Sequence, residues 1–250
     1  MRYLLHIGFV FLLSIGQTQI VNIERARIFD DSLGWSGAID AGLNAIQNDK
    51  LLLTSFLRPK VQFKDKKHYY LFLTDWSYSL AGEEIFSNYG MAHFRYAYRI
   101  KMSPLKWESY TQIQYNQLLD QKSRSLVGTG LRMKFYDKYK VRIFAGTSIL
   151  YEYEELQKSR QFNSDFRWSN YFSWYIQKGI VSFTGISYVQ PNFGNFNDFR
   201  FLGQYTLLFK VLKKVDIKME VNTTYDAFPP PNIKTWTFFG HFGVKVSIKD

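Results

Sequence analysis

From Leu33 onward, apolar and polar residues alternate with a period of two. Leu33, Trp35, Ile39, Ala41, Leu43 and Ala45 share one face; Gly34, Ser36, Asp40, Gly42 and Asn44 share the other. The pattern returns further along. Val141, Ile143, Ala145, Ile149, Tyr151 and Tyr153 oppose Lys140, Arg142, Gly146, Ser148, Glu152 and Glu154, and Val215, Ile217, Met219 and Val221 oppose Asp216, Lys218, Glu220 and Asn222. A strand sends successive side chains to opposite faces, so this spacing predicts strands with one apolar and one polar side. About twelve are predicted, at 33–46, 50–63, 68–80, 85–100, 107–118, 125–136, 140–154, 165–177, 180–190, 198–211, 214–226 and 233–248. The faintest are 50–63, which contains Pro59, and 180–190, where apolar residues fall on both faces. Many exceed the ~5–6 residues usual in globular sheets. They match the ~9–11 tilted residues that cross a bilayer.

The connections sort into two sets. One set is short and lysine-bearing: 64–67, 101–106, 137–140, 177–180 and 211–214. The other set, 80–86, 118–124, 154–165, 189–198 and 226–232, is mostly longer. Short turns at one end and long loops at the other are the plan of a single-chain outer-membrane barrel. The aromatic residues sort as well. Tyr151, Tyr153, Trp168, Tyr188, Tyr225 and Trp236 fall near the long-loop ends, and Trp35, Trp107, Tyr136 and Trp174 near the short-turn ends. Two interfacial aromatic girdles are expected. The fold class predicted is therefore all-β: a transmembrane antiparallel up-and-down β-barrel of about 12 strands.

Residues 1–16 read as a cleaved signal peptide: Arg2, an apolar run from Leu4 to Ile15, and small residues Ser14 and Gly16 before the cleavage point. A short periplasmic segment, 17–32, and the barrel, 33–250, complete the expected organisation, with the outer membrane of a Gram-negative cell as its address. Composition agrees with that plan. Aromatics make up 19% of the chain, which excludes disorder, and no later stretch is apolar enough for a spanning helix. The absence of cysteine excludes disulfide scaffolds, thiolate metal sites and a lipid-anchored lipoprotein. The net charge of +11 would suit a nucleic-acid binder, but export removes that partner.

The most distinctive string is Tyr225 to Val246, YDAFPPPNIKTWTFFGHFGVKV. It resembles the closing hairpin of domain-of-unknown-function family 481, also described as salt-induced outer-membrane proteins. Gly34 to Asp49 resembles that family's first strand, Tyr151 to Leu156 its acidic mid-barrel motif, and Ile20 to Gly37 the leader of its Bacteroidota-type branch. The chain departs from the family pattern at Asn48-Asp49-Lys50 and at its non-aromatic end, Ile248-Lys249-Asp250. The resemblance implies an outer-membrane barrel without an established activity.

Candidate chemistry is sparse. His68 is expected on the apolar face beside a turn, His93 beside Arg95 and Arg99, and His241 across the closing strands from Asp40. No paired-histidine metal spacing, phosphate loop or nucleophile elbow occurs, so no catalytic residue, metal or cofactor is assigned. Glu152, Glu154 and Glu155 with Asp165 form an acidic loop edge that would suit a divalent cation, although such edges are usually solvated. The informative set is the inward charges. Asp40, Arg95, Arg99, Glu108, Arg132, Lys134, Lys140, Arg142, Glu152, Glu154, Arg167, Arg200, Lys210, Asp216, Lys218, Glu220, His241 and Lys245 fall on the polar face. They would either line an anion-preferring pore or small-solute pathway, or pair with one another and fill a narrow lumen. The second is the preferred expectation, with a lipid-acting enzyme third. Expected partners are outer-membrane lipids, lipopolysaccharide and the assembly machinery; the oligomeric state is left open.

Overall fold

The computed structural model describes residues 33–47, 50–138, 140–158, 160–212, 215–229 and 234–246, apart from some side chains of the first and last strands. The expected signal peptide and the whole segment 17–32 lie outside these residues. Twelve strands follow one another: β1 (Gly34–Gln47), β2 (Leu51–Lys64), β3 (His68–Ala81), β4 (Glu84–Arg99), β5 (Leu105–Asn116), β6 (Gln121–Lys138), β7 (Val141–Leu156), β8 (Phe162–Lys178), β9 (Val181–Pro191), β10 (Phe199–Leu212), β11 (Val215–Asp226) and β12 (Trp236–Val246). Each pairs antiparallel with the next, giving one up-and-down sheet in sequence order. Among the described residues the ladder runs from β1 to β12 and does not include a pairing between those two strands. No helix there is long and apolar enough to cross a membrane.

Strands consume much of what the sequence assigns to loops. The segment 80–86 is nearly all strand around a two-residue turn at Gly82, whose φ of 65° suits glycine. β6 starts at Gln121, and β7 and β8 leave only residues 157–161 between them. The long connections that remain are 192–198 and 227–235, both at the same end. At the other end the strands are separated by 65–67, 100–104, 139–140, 179–180 and 213–214. The asymmetry survives, concentrated in the last third of the chain. Pro59 sits inside β2, opposite Ile39 of β1; the ladder to β3 skips Arg58 and Pro59 and then resumes in register. Proline removes one donor without shifting the pairing.

Burial is inverted relative to a soluble sheet. Trp35 is 75% exposed, Ile39 74% and Leu43 67%, and large apolar side chains stay exposed along every strand. The buried set is mainly polar: Arg95, Glu108, Arg124, Arg132, Glu152, Arg167 and Glu220, with glutamines 62, 112, 114, 121 and 190. Side chains of non-adjacent strands meet on this face. Arg200 on β10 reaches Glu152 on β7, and the Tyr110 hydroxyl on β5 lies 3.0 Å from Ser148 Oγ on β7. The sheet is therefore curved, with its polar face concave. A small apolar cluster of Leu71, Leu73, Tyr89 and Met91 also lies on that concave face, between β3 and β4.

Candidate functional site

The concave face carries three sets of charges. The first lies toward the long-loop end. Glu152 on β7 accepts from Arg124 of β6 and, at 2.6 Å, from Arg200 Nη1 of β10. Arg200 also donates through Nε to Asp226 of β11 at 2.9 Å and lies 3.9 Å from Glu154. Four strands are thus bridged through one carboxylate and one guanidinium. Isolated charges cannot be buried this deeply, so each must find an opposite partner.

Beside it, Arg167 is 2% exposed and forks onto Asp198, with its Nη2 at 3.1 Å from Oδ2. Asp198 also accepts from Asn192 Nδ2 at 3.1 Å, and Arg167 donates to the Gln190 carbonyl at 3.3 Å. The loop 192–198 is thereby fastened to the interior end of β8. The third set lies toward the short turns. Arg95 donates to Glu108 at 2.9 Å, Arg132 stands 3.8 Å from the other oxygen of Glu108, and each guanidinium covers an aromatic ring, Tyr110 for Arg95 and Phe144 for Arg132. Arg58–Asp75 at 3.0 Å and Lys218–Glu220 at 2.5 Å add further pairs.

A row of amides runs from the first set to His93. Gln112 Nε2 donates to Gln114 at 2.6 Å, Gln114 to Gln121 at 2.7 Å, and Gln121 to the carboxylate of Glu154. An ionised carboxylate only accepts, which orients every amide in the row. Gln112 Oε1 is left facing His93 Nδ1 at 3.0 Å, so that nitrogen carries the proton. Room for the rings comes from glycine: a Cβ at Gly128 would clash with Tyr110 Cζ, and one at Gly146 with Tyr171 Cε1.

The expected site residues fall into distinct places. Arg95, Glu108, Arg132, Glu152, Arg167 and Glu220 are buried on the concave face, and Lys218 is half-buried there. Arg99 and Lys134 share that parity but are exposed at the short-turn rim, where Lys134 binds Asp137 at 3.2 Å. Arg142 also pairs with Asp137, at 3.5 Å, at the start of β7 and not at mid-depth beside Arg132. The side chains of Asp40, His241 and Lys245 lie outside the described residues; their backbones pair with Arg58, Glu220 and Asp216. The acidic edge is not a cation site: Glu152 and Glu154 face guanidinium groups, Glu155 takes Lys122 at 2.7 Å, and Asp165 lies 3.8 Å from Arg167.

Of the expected girdle, Trp35, Trp107, Tyr136, Trp174, Tyr151, Tyr153, Trp168, Tyr225 and Trp236 lie on the outer face or at its rim. Tyr188 is the correction. It shares its face with the buried Ile186 and Gln190 and packs on Tyr171 at 5.5 Å, because β9 carries apolar residues on both sides. Parity reasoning in that strand could not separate the two faces. Also missed was the anchoring role of Asp198, a loop residue outside any alternating pattern.

Curved antiparallel strands with an apolar exterior and an interior of paired charges define the class: an all-β up-and-down protein with a polar core. The family model described as "Protein of unknown function, DUF481" matches residues 61–239, from within β2 into β12, and the chain belongs to that family. Among curated proteins no sequence matches it.

Proposed function

We propose that the chain is an outer-membrane β-barrel whose lumen is filled by its own ion pairs, an envelope protein that is structural or at most narrowly permeable. The observation that carries this reading is the inversion of burial: tryptophans and isoleucines outward, arginine–glutamate pairs inward. A water-facing surface of that apolarity would aggregate, whereas a hydrocarbon surround requires it. The DUF481 membership is compatible with the same address. Closure of β12 onto β1 would remove the two open edges, as hydrocarbon demands. The pairing of Glu152, Glu108 and Asp198 favours a filled lumen over an anion-preferring pore, because cations that attract mobile anions must not already hold carboxylates.

The reading assigns no catalytic role, since the buried histidine His93 is engaged by Gln112 and faces the concave side, away from the outer face. Membrane extraction tests the proposal. The protein should fractionate with detergent-soluble envelope and migrate faster unheated than boiled. Replacing His93 or His241 by Ala should leave the lipid composition unchanged. Recovery as a soluble periplasmic protein would overturn the reading.

A further inference from the structure

The net positive charge is not spread evenly. Residues 64–67, 99–106, 134–142, 177–181 and 210–216, at the short-turn end, hold fourteen Lys and Arg against three Asp. The opposite connections, 48–50, 80–86, 116–124, 154–167, 190–200 and 226–235, hold eight against nine Asp and Glu. One rim is strongly basic and the other balanced.

Two adjacent turns concentrate this charge. Arg99 N donates to the Lys67 carbonyl at 2.8 Å, which holds the β2–β3 turn against the end of β4. Lys66, Lys67, Arg99 and Lys101 are all exposed there. The acidic residue within reach, Asp65, is already committed: its Oδ1 accepts from the backbone N–H of Lys67 at 2.7 Å and of His68 at 2.6 Å. Its charge serves the turn.

Directly below these cations, on the outer face, lies a continuous run of rings. Trp35 meets Phe63 at 5.1 Å, Phe63 meets Tyr70 at 6.2 Å, Tyr70 meets Tyr96 at 5.1 Å, and Tyr96 meets Trp107 edge-on at 5.9 Å. His68 joins it through Nδ1, 2.9 Å from the Tyr96 hydroxyl. Aromatic side chains with polar edges settle at headgroup depth. Ammonium and guanidinium groups one layer further out then stand at the level of the lipid phosphates.

We propose that the rim formed by Lys66, Lys67, Arg99 and Lys101 above the Trp35–Trp107 belt is a binding surface for anionic phospholipid headgroups, recognised through their phosphodiester and net negative charge. It rests on the membrane reading given above. Neutral zwitterionic lipids offer the phosphate but also an ammonium group that the rim repels, so the surface discriminates by net charge. Balanced charge at the opposite rim gives that end no such preference.

The test uses the full chain folded into vesicles of phosphatidylcholine, alone or mixed with phosphatidylglycerol, with a trace of spin-labelled lipid of either kind. The fraction of label immobilised at the protein surface is read by electron paramagnetic resonance. About a fivefold preference for the phosphatidylglycerol label is expected, falling toward parity in the Lys66→Gln/Lys67→Gln/Arg99→Gln/Lys101→Gln variant and in high salt. Heat-modifiable migration, measured on the same samples, reports insertion separately. Failure to insert into either vesicle would sink the membrane reading. Insertion with equal immobilisation of both labels would sink the lipid-binding surface alone. Loss of the preference on adding inorganic phosphate, at ionic strength held constant with chloride, would overturn the lipid assignment in favour of a free-phosphate site.

Discussion

Glu152 shows what a single residue does in this interior. Its two oxygens hold Arg124 from the neighbouring strand and Arg200 from across the concave face. Arg200 retains Asp226 if Glu152 is removed; among the described residues Arg124 has no second ion pair. Truncation therefore leaves a buried guanidinium uncompensated, and breaking such a pair costs about 3–5 kcal/mol. Glu155, three residues on, pairs with a Lys122 that is mostly exposed, and solvent-screened pairs contribute about 0–1 kcal/mol. Glu152→Ala should accordingly lower the temperature at which the compact gel form converts to the unfolded form, and Glu155→Ala should leave it nearly unchanged. Equal effects would mean that burial does not govern these pairs. The alternation places Glu152 inward without difficulty. It does not reveal that Arg200, forty-eight positions away, is its partner, because parity specifies a face and curvature specifies the meeting.

At the level of strands and turns, period-two patterning locates all twelve elements, and the differences cluster where local chemistry competes with it. β6 runs from Gln121 to Lys138 through two bulges, each of which resets parity; after the bulge between Lys134 and Tyr136, alternation no longer tells inside from outside. β9 misleads for another reason: Ile186 and Tyr188 are apolar yet inward, Tyr188 lying opposite Leu202 and packed on Tyr171. The β2–β3 turn is the best-specified connection. Asp65 caps the backbone N–H groups of His68 and Lys67, and these bonds hold its carboxyl below the ordinary aspartate range. The sign follows directly. A depressed folded-state pKa contributes stability that is complete above the ordinary aspartate value and is lost as pH falls through the lowered one. Amide exchange at His68 and Lys67 should stay slow from neutral pH down to the ordinary aspartate range and rise, relative to neighbouring amides, only in stronger acid. In Asp65→Ala the protection should be absent at every pH. A uniform pH response across β2 and β3 would remove the cap from the account.

For the molecule as a whole, the proposed filled lumen bears on transport. The charges near the long-loop end, Arg124, Glu152, Arg167, Asp198 and Arg200, join β6, β7, β8, β10 and the 192–198 connection into one layer. The Arg95–Glu108–Arg132 group forms a second layer toward the short turns. Ions would have to pass both, and the carboxylates of these two layers, Glu108, Glu152 and Asp198, are each held by a guanidinium. Planar bilayers containing the purified protein should therefore carry little current. The two layers also make different predictions for different variants. Arg132→Gln with Arg142→Gln weakens the inner layer and a half-exposed pair at the rim, so thermal stability should fall while conductance stays low. Replacing Arg124, Glu152 and Arg200 together by Gln removes the charges that tie β7 to β10 while adding only a small net negative change. That variant should admit current through the loop-rich mouth if the outer layer is the barrier, and should stay silent if the inner layer is sufficient. Large current through the wild-type protein, unchanged by either set of replacements, would show that the paired charges do not obstruct the path and would return the balance to an open pore.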